Sequence, residues 1–157
     1  MPNPENVNSG IEYFVQVCSS TDAKARACLH LIAQVSRERA FDFLRTKLQL
    51  GYLVWSGIRD SISTKGYTSV TIYLTYISYR IIIQSERPPP LLEEKIEIFL
   101  DLLRQGIVEM SPSEYASHVS SLVLLMSETP KYLGKEAGRY WNHIDSGFYD
   151  FNRRMRN

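Results

Sequence analysis

The sequence predicts an α+β domain, a mostly antiparallel sheet with helices packed on one face. Three observations carry this. Residues 10–18 alternate, with Ile11, Tyr13, Val15 and Val17 on one side and Glu12 and Gln16 on the other. That period of two marks a strand. Residues 67–85 are rich in Val, Ile, Thr and Tyr, the composition of a pleated, half-buried segment. After them come three runs with apolar residues at helical spacing. Strand, helices, strands, helices is the order of a layered α+β fold, here a single domain over 1–157.

Each element has local signals. Ser19-Ser20-Thr21-Asp22 supplies capping oxygens for a helix that sets Ala25, Cys28, Leu29 and Ile32 on one face, with Arg26, Gln34 and Arg37 mostly elsewhere. A second helical stretch carries Phe41, Leu44 and Leu48, with Gly51 as its stop. Tyr52 to Ser56 reads as a strand, Gly57 to Gly66 as a polar turn, and Tyr67 to Ser85 as strand again. Pro88-Pro89-Pro90 ends it and opens a helix. That helix carries Leu92, Ile96, Phe99, Leu100 and Leu103, and Gly106 follows. Ser111-Pro112-Ser113-Glu114 is a capping box with proline at the first helical position. Its helix continues through Tyr115, Val119, Leu122 and Met126. The last helix follows Thr129-Pro130, carries Leu133, Ala137, Tyr140, Trp141 and Ile144, and meets Gly147.

Composition narrows the function. A length of 157 residues allows one domain with a real core. The net charge of +1 speaks against a nucleic-acid grip. The one dense basic cluster, Arg153-Arg154-Met155-Arg156, reads as a frayed terminus. Val70 to Ile83 is too short and too polar to span a bilayer, so no membrane contact is expected. The first residues lack the basic start and apolar run of a signal peptide. Cys18 and Cys28 make no disulfide framework and read as reduced, partly buried thiols. Together these point to a cytoplasmic protein.

No self-contained active site is legible. His30, His118 and His143 each lack a partner histidine at metal-ligand spacing, so no metal site is expected in this chain. No nucleophile elbow or glycine-rich phosphate loop occurs. What stands out is Arg45-Thr46-Lys47-Leu48-Gln49-Leu50-Gly51-Tyr52. Arg45 is a permanent cation with a planar donor fork suited to peptide carbonyls or carboxylates. Tyr52 is a neutral donor just after a helix-ending glycine, placed to point away from the sheet. A plain helix–strand corner, with a solvated Arg and a half-buried Tyr, is the competing reading.

This octapeptide resembles the Arg-Thr-Lys-Glu-Gln-Leu-Gly-Tyr signature of the insulin-degrading enzyme (insulysin-like) family of zinc peptidases. The resemblance extends over nearly the whole chain. Asn6-Val7-Asn8-Ser9-Gly10-Ile11-Glu12-Tyr13 is similar to that family's entry into its fourth domain. Ile82-Ile83-Gln84-Ser85-Glu86-Arg87-Pro88-Pro89 resembles its Ile-Ile-Gln-Ser-Glu-Lys-Pro-Pro stretch. Thr129-Pro130-Lys131 and Arg139-Tyr140-Trp141 through Tyr149-Asp150-Phe151 resemble its downstream Lys-Pro-Lys and Tyr-Trp helix.

The resemblance implies a fourth-domain module of the C-terminal half. In the family two halves close around a peptide chamber, and the inverted zinc motif lies in the first domain. Zinc is therefore expected in a catalytic domain missing here, and the chain alone is expected to be inactive. Its implied partners are the catalytic half and peptide substrates. Carried over by position, Arg45 and Tyr52 bind substrate and transition state, with the Tyr52 hydroxyl donating to the developing oxyanion. Arg80 and Lys131 match positions where relatives place basic residues that hold polyphosphate, against the plainer reading of two solvated cations.

Three departures accompany the match. Leu48 replaces the signature Glu. The chain stops soon after Phe151, where relatives continue, so a truncated sheet is expected. Thr68 to Tyr79 has no family counterpart and is uncharged and β-prone, an aggregation profile when exposed. It reads as a strand extension or a translated intron. A free-standing peptide-interaction or protein-interaction domain and a nonfunctional fragment of a mispredicted gene are the alternatives.

Overall fold

Val70–Ser85 forms the central strand, β3, of a three-stranded antiparallel sheet flanked by β1 (Ser9–Ser19) and β2 (Leu53–Tyr67), in the order β1-β3-β2. The structure, a computed structural model, describes the backbone of residues 6–19, 21–67, 70–145, 149 and 151, and side chains outside 60–75, 142 and 145. Between β1 and β2 lie α1 (Ala23–Ala40) and a π-helical segment, Phe41–Lys47. After β3 come α2 (Pro89–Val108), α3 (Pro112–Ser127) and α4 (Leu133–Asp145). Gly147, the Arg153–Arg156 cluster, Thr68 and Ser69 lie outside the described residues.

The core fills the space between one sheet face and α1 and α2. Ile77, Tyr79, Ile81 and Ile83 of β3 are buried with Leu29, Ala33, Leu44, Leu92, Ile96, Phe99 and Leu103. Every second residue of β3 from Ile77 to Ile83 therefore points inward, as a pleat requires. Two polar groups join this core without cost, because the Tyr79 hydroxyl donates to Ser36 Oγ at 2.9 Å. Burial pushes the Tyr79 pKa up, the hydrogen bond from the hydroxyl notwithstanding. Asp22 caps α1 by accepting from the Ala25 amide at 3.0 Å, and Ser111 caps α3 by accepting from Glu114 at 3.2 Å.

Several expectations need correction. Gly57 to Gly66 is not a turn: β2 runs through it, paired with β3 from Leu53↔Gln84 to Tyr67↔Val70 without a register shift. Pairing overrides the polar composition there. The Val17 assignment fails at a bulge, where the β1–β3 register shifts between Gln16 and Cys18. Side-chain parity reverses, so Cys18 packs against the core and Val17 is exposed. On α1 the buried face is Arg26, Leu29, Ala33, Ser36 and Ala40, whereas Cys28 and Ile32 are exposed. Cys18 and Cys28 are free thiols, Cys18 half-buried and Cys28 not buried at all.

The expected second helix is a continuation of α1. It widens so that the Leu48 amide reaches back to the Phe43 carbonyl at 3.0 Å. Gly106 lies within α2, where an added Cβ would stand 2.2 Å from the Arg39 guanidinium. The segment from Val70 to Tyr79, read as an insertion, forms the first part of β3, and Ile77 and Tyr79 are core residues. α3 has no fully buried residue: its stripe Val119, Leu122 and Met126 is half-buried, and Tyr115 of α3 and Leu133 and Trp141 of α4 are exposed.

Candidate functional site

The corner between the π-helical segment and β2 is pinned from below. Leu44 and Leu50 are buried, and Leu48 packs against the core. Its apolar contact accounts for leucine where the related signature has Glu. Gln49 turns the chain with φ 48°, a left-handed conformation costly for a residue with a Cβ. Gly51 lies so close to β3 that a Cβ would come within 2.0 Å of the Gln84 carbonyl oxygen. Only glycine permits that approach; the helix has already ended at Lys47. The Ser85 hydroxyl donates to the Leu50 carbonyl and locks the corner onto the end of β3.

Tyr52 emerges from this rigid corner 85% exposed. The Arg45 guanidinium carbon lies 5.8 Å from the centre of its ring and 4.8 Å from that of Phe41. Phe41 and Arg45 are four residues apart, about one helical turn, which puts them on one side. The arrangement is a cation with two aromatic rings within 6 Å. Asp42 pairs with Lys47 at 2.9 Å, and no described ion pair engages the half-buried Arg45. The structure thus brings Arg45 and Tyr52 together, and adds Phe41, which motif reading missed. Its signal was present in the four-residue spacing of Phe41 and Arg45.

Beside Phe41 opens a groove of about 510 Å³, lined by Arg37, Glu38, Phe41, Val54, Trp55 and Ser56. It runs between the end of α1 and the outer edge of β2. This feature had no sequence signal, because it joins residues from two elements.

On the sheet face away from the helices, Glu12 accepts from Arg80 at 2.8 Å and from Arg59 at 3.1 Å. The Arg80 hydrogen bond, foremost, lowers the Glu12 pKa. Arg80 also lies over the Trp55 ring at 4.9 Å, and that indole covers Gly57. Lys131 pairs with Glu128 at 2.6 Å, which raises the Lys131 pKa and lowers that of Glu128. No described hydrogen bond, ion pair or ring contact joins Arg80 to Lys131, and each already has a carboxylate. The three histidines lie on α1, α3 and α4. Among the described residues no group of three His, Cys, Asp or Glu side chains is placed to hold a metal ion. No helix among them is long and apolar enough to cross a membrane.

Comparison with known proteins identifies the family. The profile described as PQQ synthase PqqF-like, C-terminal lobe domain 4, matches residues 31–141, which include the Phe41–Tyr52 corner. The chain is 37% identical to mug138 of Schizosaccharomyces pombe, a zinc protease by name, over 98% of its own length and 15% of that protein's. It is 34% identical to human insulin-degrading enzyme over 96% of its length and 14% of the enzyme's. The crystal structure of pitrilysin superposes with a TM-score of 0.70 at 23% identity, covering 97% of this chain and 15% of that one, a likeness of fold. The chain spans about 15% of the length of the relatives it matches. With the C-terminal-lobe domain-4 profile matched over residues 31–141, this chain belongs to the insulin-degrading-enzyme family of zinc metallopeptidases, as a fourth-domain segment of the C-terminal lobe.

Proposed function

We propose that this domain is a non-catalytic part of a zinc metalloendopeptidase, and that Arg45 and Tyr52 hold the peptide and its transition state for chemistry performed by a catalytic half outside the chain. The stack of Phe41, Arg45 and Tyr52 carries the reading. A solvated corner has no need to hold a guanidinium against two exposed rings beside a strained, glycine-dependent turn. The rings orient the planar fork, so that less freedom is lost when it grips a carbonyl or carboxylate. The Tyr52 hydroxyl, standing clear of the sheet, is free to donate to an oxyanion brought against it by the catalytic half.

The joined enzyme tests this. Arg45→Ala is expected to raise KM and lower kcat together, since a guanidinium holds substrate in the ground state as well. Unchanged constants would remove Arg45 from the site. The separate chain is expected to bind no stoichiometric zinc and to hydrolyse no quenched fluorescent peptide. Chelator-sensitive hydrolysis by the chain alone would overturn that part.

A further inference from the structure

We propose that Arg39 is a positioning residue for the peptide-holding corner: seated over Gly106 of α2 and bonded to Glu114 of α3, it fixes the end of α1 from which Phe41 and Arg45 project. The inference rests on the reading that Arg45 and Tyr52 hold the peptide, and it names what aims Arg45. Arg39 lies half-buried in the last turn of α1. The helix runs without a break into the π-helical segment, since Phe41 keeps helical dihedrals of φ −62° and ψ −48°. Arg39, Phe41 and Arg45 therefore stand on one rod, and a roll at one is carried to the others. The Arg39 guanidinium donates to Glu114 Oε1 at 3.1 Å. It also fills the space over Gly106, where an added Cβ would collide with Nη1. Apart from its own helix, only that guanidinium comes within 4 Å of the Cβ position among the described residues. Gly106 stands inside α2, where alanine is the better helix former. An isolated surface ion pair needs no glycine beneath it.

α2 is the firm side of this clamp. Leu92, Ile96, Phe99 and Leu103 are buried, and the Phe99 ring stacks on Phe43 of the π-helical segment at 6.2 Å. Phe99 and Gly106 are seven residues apart, about two helical turns, so both face the same side of α2. The rod is thus held against α2 through Phe43 and again through Arg39. α3 closes from another direction: Gln34 of α1 donates to the His118 carbonyl at 3.2 Å, one turn beyond Glu114. His118 Nε2 is 3.9 Å from the oxygen that Arg39 holds, too far for a hydrogen bond. Arg39 and Glu114 are both partly exposed, and such pairs add little to stability. What the pair supplies is direction. Tyr52 is fixed separately, through Leu50 and Gly51 against the end of β3. A roll of α1 would therefore move Arg45 relative to Tyr52.

The test uses the joined enzyme with Gly106→Ala, which displaces the guanidinium but keeps its charge, and Arg39→Met, which keeps the stem and removes the head. Each should raise KM and lower kcat, the pattern expected of Arg45→Ala, with kcat/KM falling about three- to tenfold. The double variant should be no worse than the poorer single one, because both act through one guanidinium. Neither change should reduce activity further in an Arg45→Ala background. The melting temperature separates positioning from bracing: Gly106→Ala should melt at or above the parent temperature, since alanine favours the helix. Kinetic losses that track a lowered Tm would make Arg39 a structural brace and overturn the proposal. Additive losses in the double variant, or normal constants in both single variants beside an impaired Arg45→Ala enzyme, would overturn it as well. Normal constants for Arg45→Ala itself would overturn the reading of the corner on which this one rests.

Discussion

The Arg45 guanidinium sits 5.8 Å from the centre of the Tyr52 ring, although six residues and the end of the helix separate them. With Phe41 at 4.8 Å, the cation has two aromatic neighbours and no described carboxylate. Arg45→Lys keeps the charge but loses the planar stack, and is expected to recover only part of the activity lost in Arg45→Ala. Steady-state kinetics of the joined enzyme check this. Full recovery would mean that charge alone matters.

Gly51→Ala is expected to be severe for so small a change. The new methyl would press on the Gln84 carbonyl at 2.0 Å, backbone against backbone, and overpacking of that kind costs about 1–3 kcal/mol. Urea unfolding of the chain measures it. Because the corner would shift, Tyr52 would move as well, and activity of the joined enzyme should fall even at temperatures where the variant is folded.

Removing Thr68 to Tyr79 is expected to destabilise the chain, the opposite of what its β-prone, uncharged composition foretells. The deletion takes away Ile77 and Tyr79, both buried, together with the Tyr79–Ser36 hydrogen bond. A thermal melt should show a fall of several degrees; an unchanged or higher Tm would mean that this part of β3 contributes nothing to the core. The smaller Ile81→Ala change should cost about 2–5 kcal/mol, as for any fully buried isoleucine.

Much of this fold could be read from the chain, and the exceptions have physical causes. The caps at Asp22 and Ser111 and the apolar stripe of α2 depend on neighbours within one turn, and they stand where the spacing puts them. Val17 and Cys18 exchanged roles because a bulge depends on the partner strand. Gly57 to Gly66 became strand because β3 supplies its hydrogen bonds. The apolar residues of α3 and α4 mark helices correctly but not burial, since burial requires an opposing surface. The signature octapeptide singled out Arg45 and Tyr52, which the folded corner places together, while the nearness of Phe41 and the groove needed the corner to be folded.

Alkaline pH should weaken the contact between β1 and α2. The hydrogen bond to Glu97, first, and then burial push the Tyr13 pKa from 10 up to about 12. A raised pKa means that the folded chain holds the proton longer than the unfolded one. The contribution is complete below pH 10 and is lost as pH rises through about 12. Tyr13→Phe should therefore flatten the stability profile between those values relative to the parent chain. Parallel profiles would show that the hydroxyl is not held by Glu97.

The central claim is most directly tested by kcat for Tyr52→Phe in the joined enzyme. The substitution removes one hydroxyl from a side chain 85% exposed, so stability should stay within about 0.5 kcal/mol. If that hydroxyl donates to the oxyanion, kcat should fall about a hundred- to a thousandfold, with KM little changed. A normal kcat with an unchanged Tm would contradict the account, and a normal kcat with a lowered Tm would make Tyr52 a structural residue of the corner.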